Sequence, residues 1–265
     1  MPQIARNIPQ QILPLFKGAT TEITLPSSRV VKIRETNGED DEILSSWNDA
    51  ADGSNIDNFL SAIIINDSVL GGKPTPEDIS KWPINDKYAL LFKQRVFIYG
   101  HELKFKAKCT EEKCGQEYIY TEDLSKWDND LSKDSKKPIS SIALRKYPMG
   151  LSPQVEFTIA SGKKLRYSIV TGELEKKALE LKDMTKNSPL IIRGLEIENK
   201  GEWIPVTHFA GFSSKEMLEI RSNVKENDLQ FDPMVNWNCN NPLCKKEYSV
   251  PLFQIGTFFY PEEMI

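Results

Sequence analysis

Two cysteine pairs, Cys109-Thr-Glu-Glu-Lys-Cys114 and Cys239-Asn-Asn-Pro-Leu-Cys244, share a four-residue gap, and each runs on into a Glu-Tyr dipeptide, Glu117-Tyr118 and Glu247-Tyr248. Thiolates are good ligands for soft and borderline metal ions, and zinc takes four ligands in a tetrahedron. One such loop supplies only two, so each pair is half of a site and both together complete it. Four thiolates leave no position for a reactive water, which makes the site structural rather than catalytic. The expected cofactor is one structural zinc per chain, held by Cys109, Cys114, Cys239 and Cys244. Unliganded thiols and disulfides are the other fates open to these cysteines.

The repeated spacing belongs to a longer repeat. The pairs are offset by 239 − 109 = 130 residues, and far upstream Thr21-Glu-Ile-Thr-Leu-Pro-Ser27 lines up with Val155-Glu-Phe-Thr-Ile-Ala-Ser161 at 155 − 21 = 134. Glu22/Glu156, Thr24/Thr158, Ser27/Ser161, Gly38/Gly172 and Glu39/Glu173 are identities in that alignment. The expected fold is therefore α+β, with two related modules of hairpin, helices and cysteine knuckle arising from an internal duplication and sharing a zinc-ribbon-like core.

The elements that must position the cysteines follow from periodicity. Residues 21–127 form the first module. Alternation predicts strands at Glu22–Leu25 and Val30–Arg34, and Thr36-Asn-Gly-Glu39 fits a capping box before a helix through Ile43, Leu44 and Trp47. An apolar helix spans Ile56 to Ile64, Gly71-Gly72-Lys73-Pro74 is a plain turn, and a long helix through Tyr88, Leu91, Phe92, Arg95 and Val96 stops at Gly100. Leu103, Phe105 and Ala107 alternate into the first knuckle and Tyr118 and Tyr120 alternate out of it. A Lys-, Ser- and Pro-rich linker covers 128–153. The second module, 154–250, repeats the order: strands at Val155–Ile159 and Leu165–Ile169, a helix at Leu174, Ala178 and Leu181, a second opened by Ser213-Ser-Lys-Glu216, and Phe231 and Val235 leading into the second knuckle. Leu190–Ile197 is its counterpart to the apolar helix and Gly-Pro loop.

Two ends flank the modules. Residues 1–20, with Pro2, Pro9 and Pro14 among aliphatics, read as an arm that either packs at home or docks on a neighbour. Residues 251–265 place Phe253, Phe258, Phe259 and Tyr260 just after the second knuckle; either this tail folds back on the core or it anchors a partner, and Phe258, Phe259 and Tyr260 are the expected anchors.

Several functions are not expected. A net charge of −4 gives no basic footprint for nucleic acid, although Lys104, Lys106, Lys108, Lys245 and Lys246 flank the knuckles. No apolar stretch approaches the ~20 residues of a membrane span and no secretory signal is read, so a soluble protein made in the cytoplasm is expected. His101 and His208 sit in no catalytic pattern, and the Glu39-Asp40-Asp41-Glu42 cluster reads as a solvated helix cap. The chain is expected to be no enzyme and to take no small-molecule substrate.

Leu25-Pro-Ser-Ser with Lys32-Ile-Arg and Gly38-Glu39-Asp-Asp-Glu-Ile-Leu44, a helix ending Tyr99-Gly100-His-Glu, a cysteine knuckle and a closing Gly256-Thr-Phe-Phe-Tyr-Pro261 occur in this order. In that order they resemble the T4-type baseplate hub proteins of contractile phage tails and phage-derived injection systems, over residues 21 to 261. The resemblance implies a non-enzymatic structural subunit, hub or wedge, that docks other baseplate and tail proteins and is assembled into a phage tail or phage-like particle. A tail-assembly chaperone absent from the mature particle, and a zinc-ribbon adaptor binding nucleic-acid machinery, are the alternatives.

Overall fold

A computed structural model describes residues 18–27, 29–45, 54–126, 154–174, 187–227 and 234–260. Most of the arm, the linker, Trp47, Ala178, Leu181 and Phe231 lie outside the described residues. Alternating side chains build the first hairpin: β1 (Thr20–Thr24) and β2 (Val30–Arg34) pair antiparallel with Thr24 opposite Val30, and Ile23, Val31 and Ile33 point into the core. Helix α1 (Gly38–Leu44) starts on a capping box one residue later than the expected Thr36–Glu39 pair. Asn37 accepts from the N–H groups of Glu39 and Asp40, and the Asp40 carboxylate accepts from the Asn37 N–H. The acidic cluster is correspondingly not all solvated. Asp40 is buried and accepts two N–H bonds from Arg34, at 2.7 and 2.8 Å, because a carboxylate beside a forked guanidinium keeps its hydrogen bonds out of water.

Helix α2 (Ser54–Ile63) passes directly into β3 (Ile64–Asp67), which pairs antiparallel with β2, Ile33 opposite Ile64. The expected helix through Ile64 thus ends one residue earlier. A short run of isoleucines carries no period that separates helix from strand, and the open edge of β2 claims it. The Gly71-Gly72 segment is the turn expected, with the Asp67 N–H donating to the Gly72 carbonyl at 2.9 Å and Gly71 at φ 70°. Helix α3 (Pro76–Ser80) and the long α4 (Ile84–Tyr99) follow, and Gly100 stops α4 in a left-handed conformation, φ 75°. Chain alternation then resumes in β4 (Glu102–Lys108) and β5 (Glu117–Asp123).

The second half opens with β6 (Gln154–Thr158) and β7 (Lys164–Ser168), Thr158 opposite Lys164, and a new helix begins at Gly172. After α5 (Ser188–Ile192), β8 (Glu196–Asn199) pairs antiparallel with β7, and β9 (Glu202–Pro205) extends the sheet to four strands. The β8–β9 hairpin escapes sequence patterning, since its tight turn places Lys200 and Gly201 in the left-handed region with no Asn-Gly or Asp-Gly signal. Helix α6 (Ser214–Asn227) carries the expected box, with Ser213 Oγ accepting from the Glu216 N–H and Glu216 accepting from the Ser213 N–H. Strands β10 (Met234–Asn238) and β11 (Glu247–Pro251) make the last hairpin.

The architecture is mixed α/β with small antiparallel sheets and, among the described residues, three apolar cores. One lies under β1–β2–β3, one under the β6–β9 sheet against α6, and the third joins both knuckle hairpins to α4 and the C-terminal residues. The halves also meet where the Ile84 N–H donates to the Val170 carbonyl at 2.9 Å and Pro83 bridges Thr171. Gly172 has no room for a side chain here: a Cβ would sit 2.9 Å from the Ser80 carbonyl oxygen and 2.6 Å from Lys87 Nζ. Beneath this junction Lys87 pairs with Asp57 and Arg29 pairs with Asp67, all four buried, with the Arg29 guanidinium 4.4 Å from the centre of the Trp82 ring.

A candidate metal centre between two knuckles

The cysteines meet because they continue the inward face of their strands. In β4 every second residue points into the third core, Leu103, Phe105 and Ala107, and Cys109 is the next in that series. Val235, Trp237 and Cys239 form the same series from β10. Packing the two faces together therefore brings Cys109 and Cys239, both buried, to one end of the layer, and each turn returns its partner, Cys114 or Cys244, to the same point. The two turns are hydrogen-bonded alike. The Cys109 N–H donates to the Gln116 carbonyl and the Cys239 N–H to the Lys246 carbonyl, at 2.9 and 2.8 Å. Cys114 and Gly115 donate to the Glu111 carbonyl as Cys244 and Lys245 donate to that of Asn241. Gly115 and Lys245 close the turns at φ 57° and 52°.

All four sulfurs lie within 4.8 Å of one another, with Cys109 Sγ 3.7 Å from Cys244 Sγ and Cys114 Sγ 3.6 Å from Cys239 Sγ. A tetrahedral ion with metal–sulfur bonds of about 2.3 Å spaces its ligands about 3.8 Å apart, so this donor set can hold one metal ion, compatible with a structural zinc. The four cysteines named from the sequence are thus brought together, two from each knuckle. Neither His101 nor His208 belongs to the cluster.

The thiols are not equivalent. The Tyr248 hydroxyl, 3.1 Å from Cys109 Sγ, is the chief influence pulling that thiol down to about 7. The Asn241 N–H favours a Cys239 thiolate, yet burial and three sulfur neighbours outweigh it and push Cys239 up to about 12. A divalent ion favours the thiolate form of its ligands, so metal binding at this cluster releases protons.

Sequence reasoning missed the side chains around the sulfurs. Tyr118 and Tyr248, legible in the sequence as repeat and strand positions but not as neighbours of the sulfurs, each cross to the opposite knuckle. The Tyr118 hydroxyl donates to the Asn238 carbonyl, while the Tyr248 hydroxyl accepts from the Thr110 N–H at 2.8 Å and faces Cys109 Sγ. Trp237 stacks on Tyr248 with ring centres 4.2 Å apart and meets Tyr118 edge-on at 6.1 Å. Three of the five flanking lysines form exposed ion pairs: Lys104 with Glu102, Lys108 with Glu117 and Lys246 with Glu111.

The aromatic tail corrects one expectation. Phe258 is fully buried in the third core, edge-on to Phe253 and Phe259 at 5.1 and 4.8 Å, so it is spent on this chain's own packing and is not free to anchor a partner. Phe259 is partly buried against the first and third cores. Tyr260 remains 41% exposed, with its hydroxyl donating to the Asp41 carbonyl at 3.2 Å.

Comparison of the chain with protein-family models, with curated proteins and with solved structures finds no match. Among the described residues no helix is long and apolar enough to cross a membrane.

Proposed function

We propose that this chain is a non-enzymatic structural subunit of a contractile-tail baseplate, in which one zinc ion clamps two duplicated modules at a fixed angle. The observation that carries the clamp is the single cluster of four sulfurs, two from each half. Four thiolates complete a tetrahedron, and a closed structural zinc contributes on the order of 10 kcal/mol, as much as the whole stability of an ordinary domain. Duplication is supported by matching geometry. Thr24 opposite Val30 corresponds to Thr158 opposite Lys164, Ala107 opposite Tyr118 corresponds to Trp237 opposite Tyr248, and a third antiparallel strand follows a helix in each half.

The baseplate assignment rests on the ordered motifs from Leu25 to Pro261 that resemble hub proteins. In this reading the clamp makes a rigid body, and exposed apolar side chains such as Leu243 at the tip of the second knuckle, 96% exposed, and Tyr260 meet neighbouring baseplate proteins. Mass spectrometry of purified contractile particles tests it. The chain is expected in particles at low, symmetry-related copy number; its presence only in soluble extract overturns the structural-subunit reading in favour of an assembly chaperone.

A further inference from the structure

The shell around the sulfurs is one-sided. Among the described residues, the two side chains other than cysteine that are hydrogen-bonded to a sulfur, Tyr248 and Asn241, come from the second knuckle and reach across to a sulfur of the first. Tyr248 approaches Cys109 Sγ at 3.1 Å, and Asn241 Nδ2 approaches Cys114 Sγ at 3.4 Å. The direction of each contact follows from its partners. The Tyr248 oxygen accepts from the Thr110 N–H at 2.8 Å, its proton can reach Thr110 Oγ1 at 3.4 Å or Cys109 Sγ at 3.1 Å, and a metal-bound thiolate, having no proton to give, is the acceptor at the shorter contact. The Leu243 N–H, donating to Asn241 Oδ1 at 3.0 Å, sets the amide so that its NH2 faces Cys114. The equivalent places in the first knuckle do not reciprocate. Tyr118 donates to the Asn238 carbonyl instead of a sulfur, and Glu111, in the place of Asn241, is a carboxylate paired with Lys246. Trp237, stacked under Tyr248, stands where the first knuckle has Ala107.

Resting on the metal reading above, we infer that Tyr248 and Asn241 are the positioning residues of the metal centre, the second knuckle donating hydrogen bonds that orient the first knuckle's thiolates and relieve their charge. A site of four thiolates on a divalent ion carries a net charge of −2, and donors aimed at the sulfurs are the means by which a protein holds that charge in a partly buried place. The two hydroxyls thus differ in role although they occupy the same place in the repeat, which gives the inference its internal control.

The test uses the full chain loaded with cobalt(II) or zinc, comparing Tyr248→Phe with Tyr118→Phe. Both variants lose one tyrosine hydroxyl bonded across the same interface, so a merely structural role predicts equal effects. The inference predicts that Tyr248→Phe weakens zinc binding by about 10-fold or more in competition with a chromophoric chelator and moves the thiolate-to-cobalt charge-transfer band to lower energy. Tyr118→Phe is expected to leave the band unmoved. Asn241→Asp, which keeps the acceptor for the Leu243 N–H and loses the donor to Cys114, is expected to weaken zinc as well, and it serves if Tyr248→Phe does not fold. Equal effects of the two tyrosine changes, or unaltered affinity and spectrum in both Tyr248→Phe and Asn241→Asp, overturn the inference alone. A wild-type chain that takes up neither metal overturns the metal reading itself and the inference with it.

Discussion

Asp86, in the first turn of α4, is fully buried beneath the β1–β2 turn, where its carboxylate accepts from the Ser27 N–H at 2.9 Å and from the Ser27 hydroxyl. Burial dominates these bonds and the nearby Arg29 charge, and with a smaller push from Asp67 it raises the carboxyl from 3.8 to about 6. That difference corresponds to roughly 3 kcal/mol. Because the folded carboxyl holds its proton more tightly than the unfolded one, the stabilisation is fully present below about pH 4. It is lost as the pH rises through about 6. Asp86→Asn removes the titration while keeping an oxygen for the Ser27 N–H and offering an NH2 to the Ser27 oxygen. The expected result, read from urea unfolding of both proteins between about pH 4 and pH 7, is that the variant gains on the wild type with rising pH, by roughly 3 kcal/mol in total. A difference that stays constant across that range refutes the reasoning, and so does one that shrinks.

Phe258→Ala is expected to lower stability by about 3 to 5 kcal/mol in thermal or urea unfolding, whereas Tyr260→Ala changes it by about 1 kcal/mol or less, because Phe258 is fully buried and Tyr260 is not. Gly172→Ala pushes a methyl against the Ser80 carbonyl and is expected to cost about 1 to 3 kcal/mol; Gly38→Ala, at the aligned position with open space around it, is neutral or stabilising by up to about 1 kcal/mol. A strong chelator is expected to lower the melting temperature of the wild type sharply and to leave a Cys114→Ser/Cys239→Ser double variant, already unable to close the site, unaffected.

How much was legible in the sequence depended on whether a residue's role is local. Strand alternation at Glu22–Leu25, Val30–Arg34, Val155–Ile159 and Leu103–Ala107, and the Ser213–Glu216 box, are set by neighbours in the chain and read directly. The cysteine pairs were legible because chemistry demands four ligands and each knuckle offers two. Strand β3 was not, because Ile64 is helical or extended according to whether an edge waits beside it. The burial of Asp40 and the identity of the sulfur-facing donors were illegible for the same reason. Arg34, Tyr248 and Asn241 acquire their roles only from contacts that the tertiary structure supplies. Phe258 misled because an aromatic tail looks alike whether it covers its own core or another protein's.

Elemental analysis of the purified full-length chain, paired with a count of thiols that react in the folded state, tests the metal clamp most directly. The account predicts one zinc per chain, with the four cysteine thiols protected until a chelator removes the metal. A metal-free folded chain whose cysteines react freely, and whose stability a chelator does not change, contradicts it.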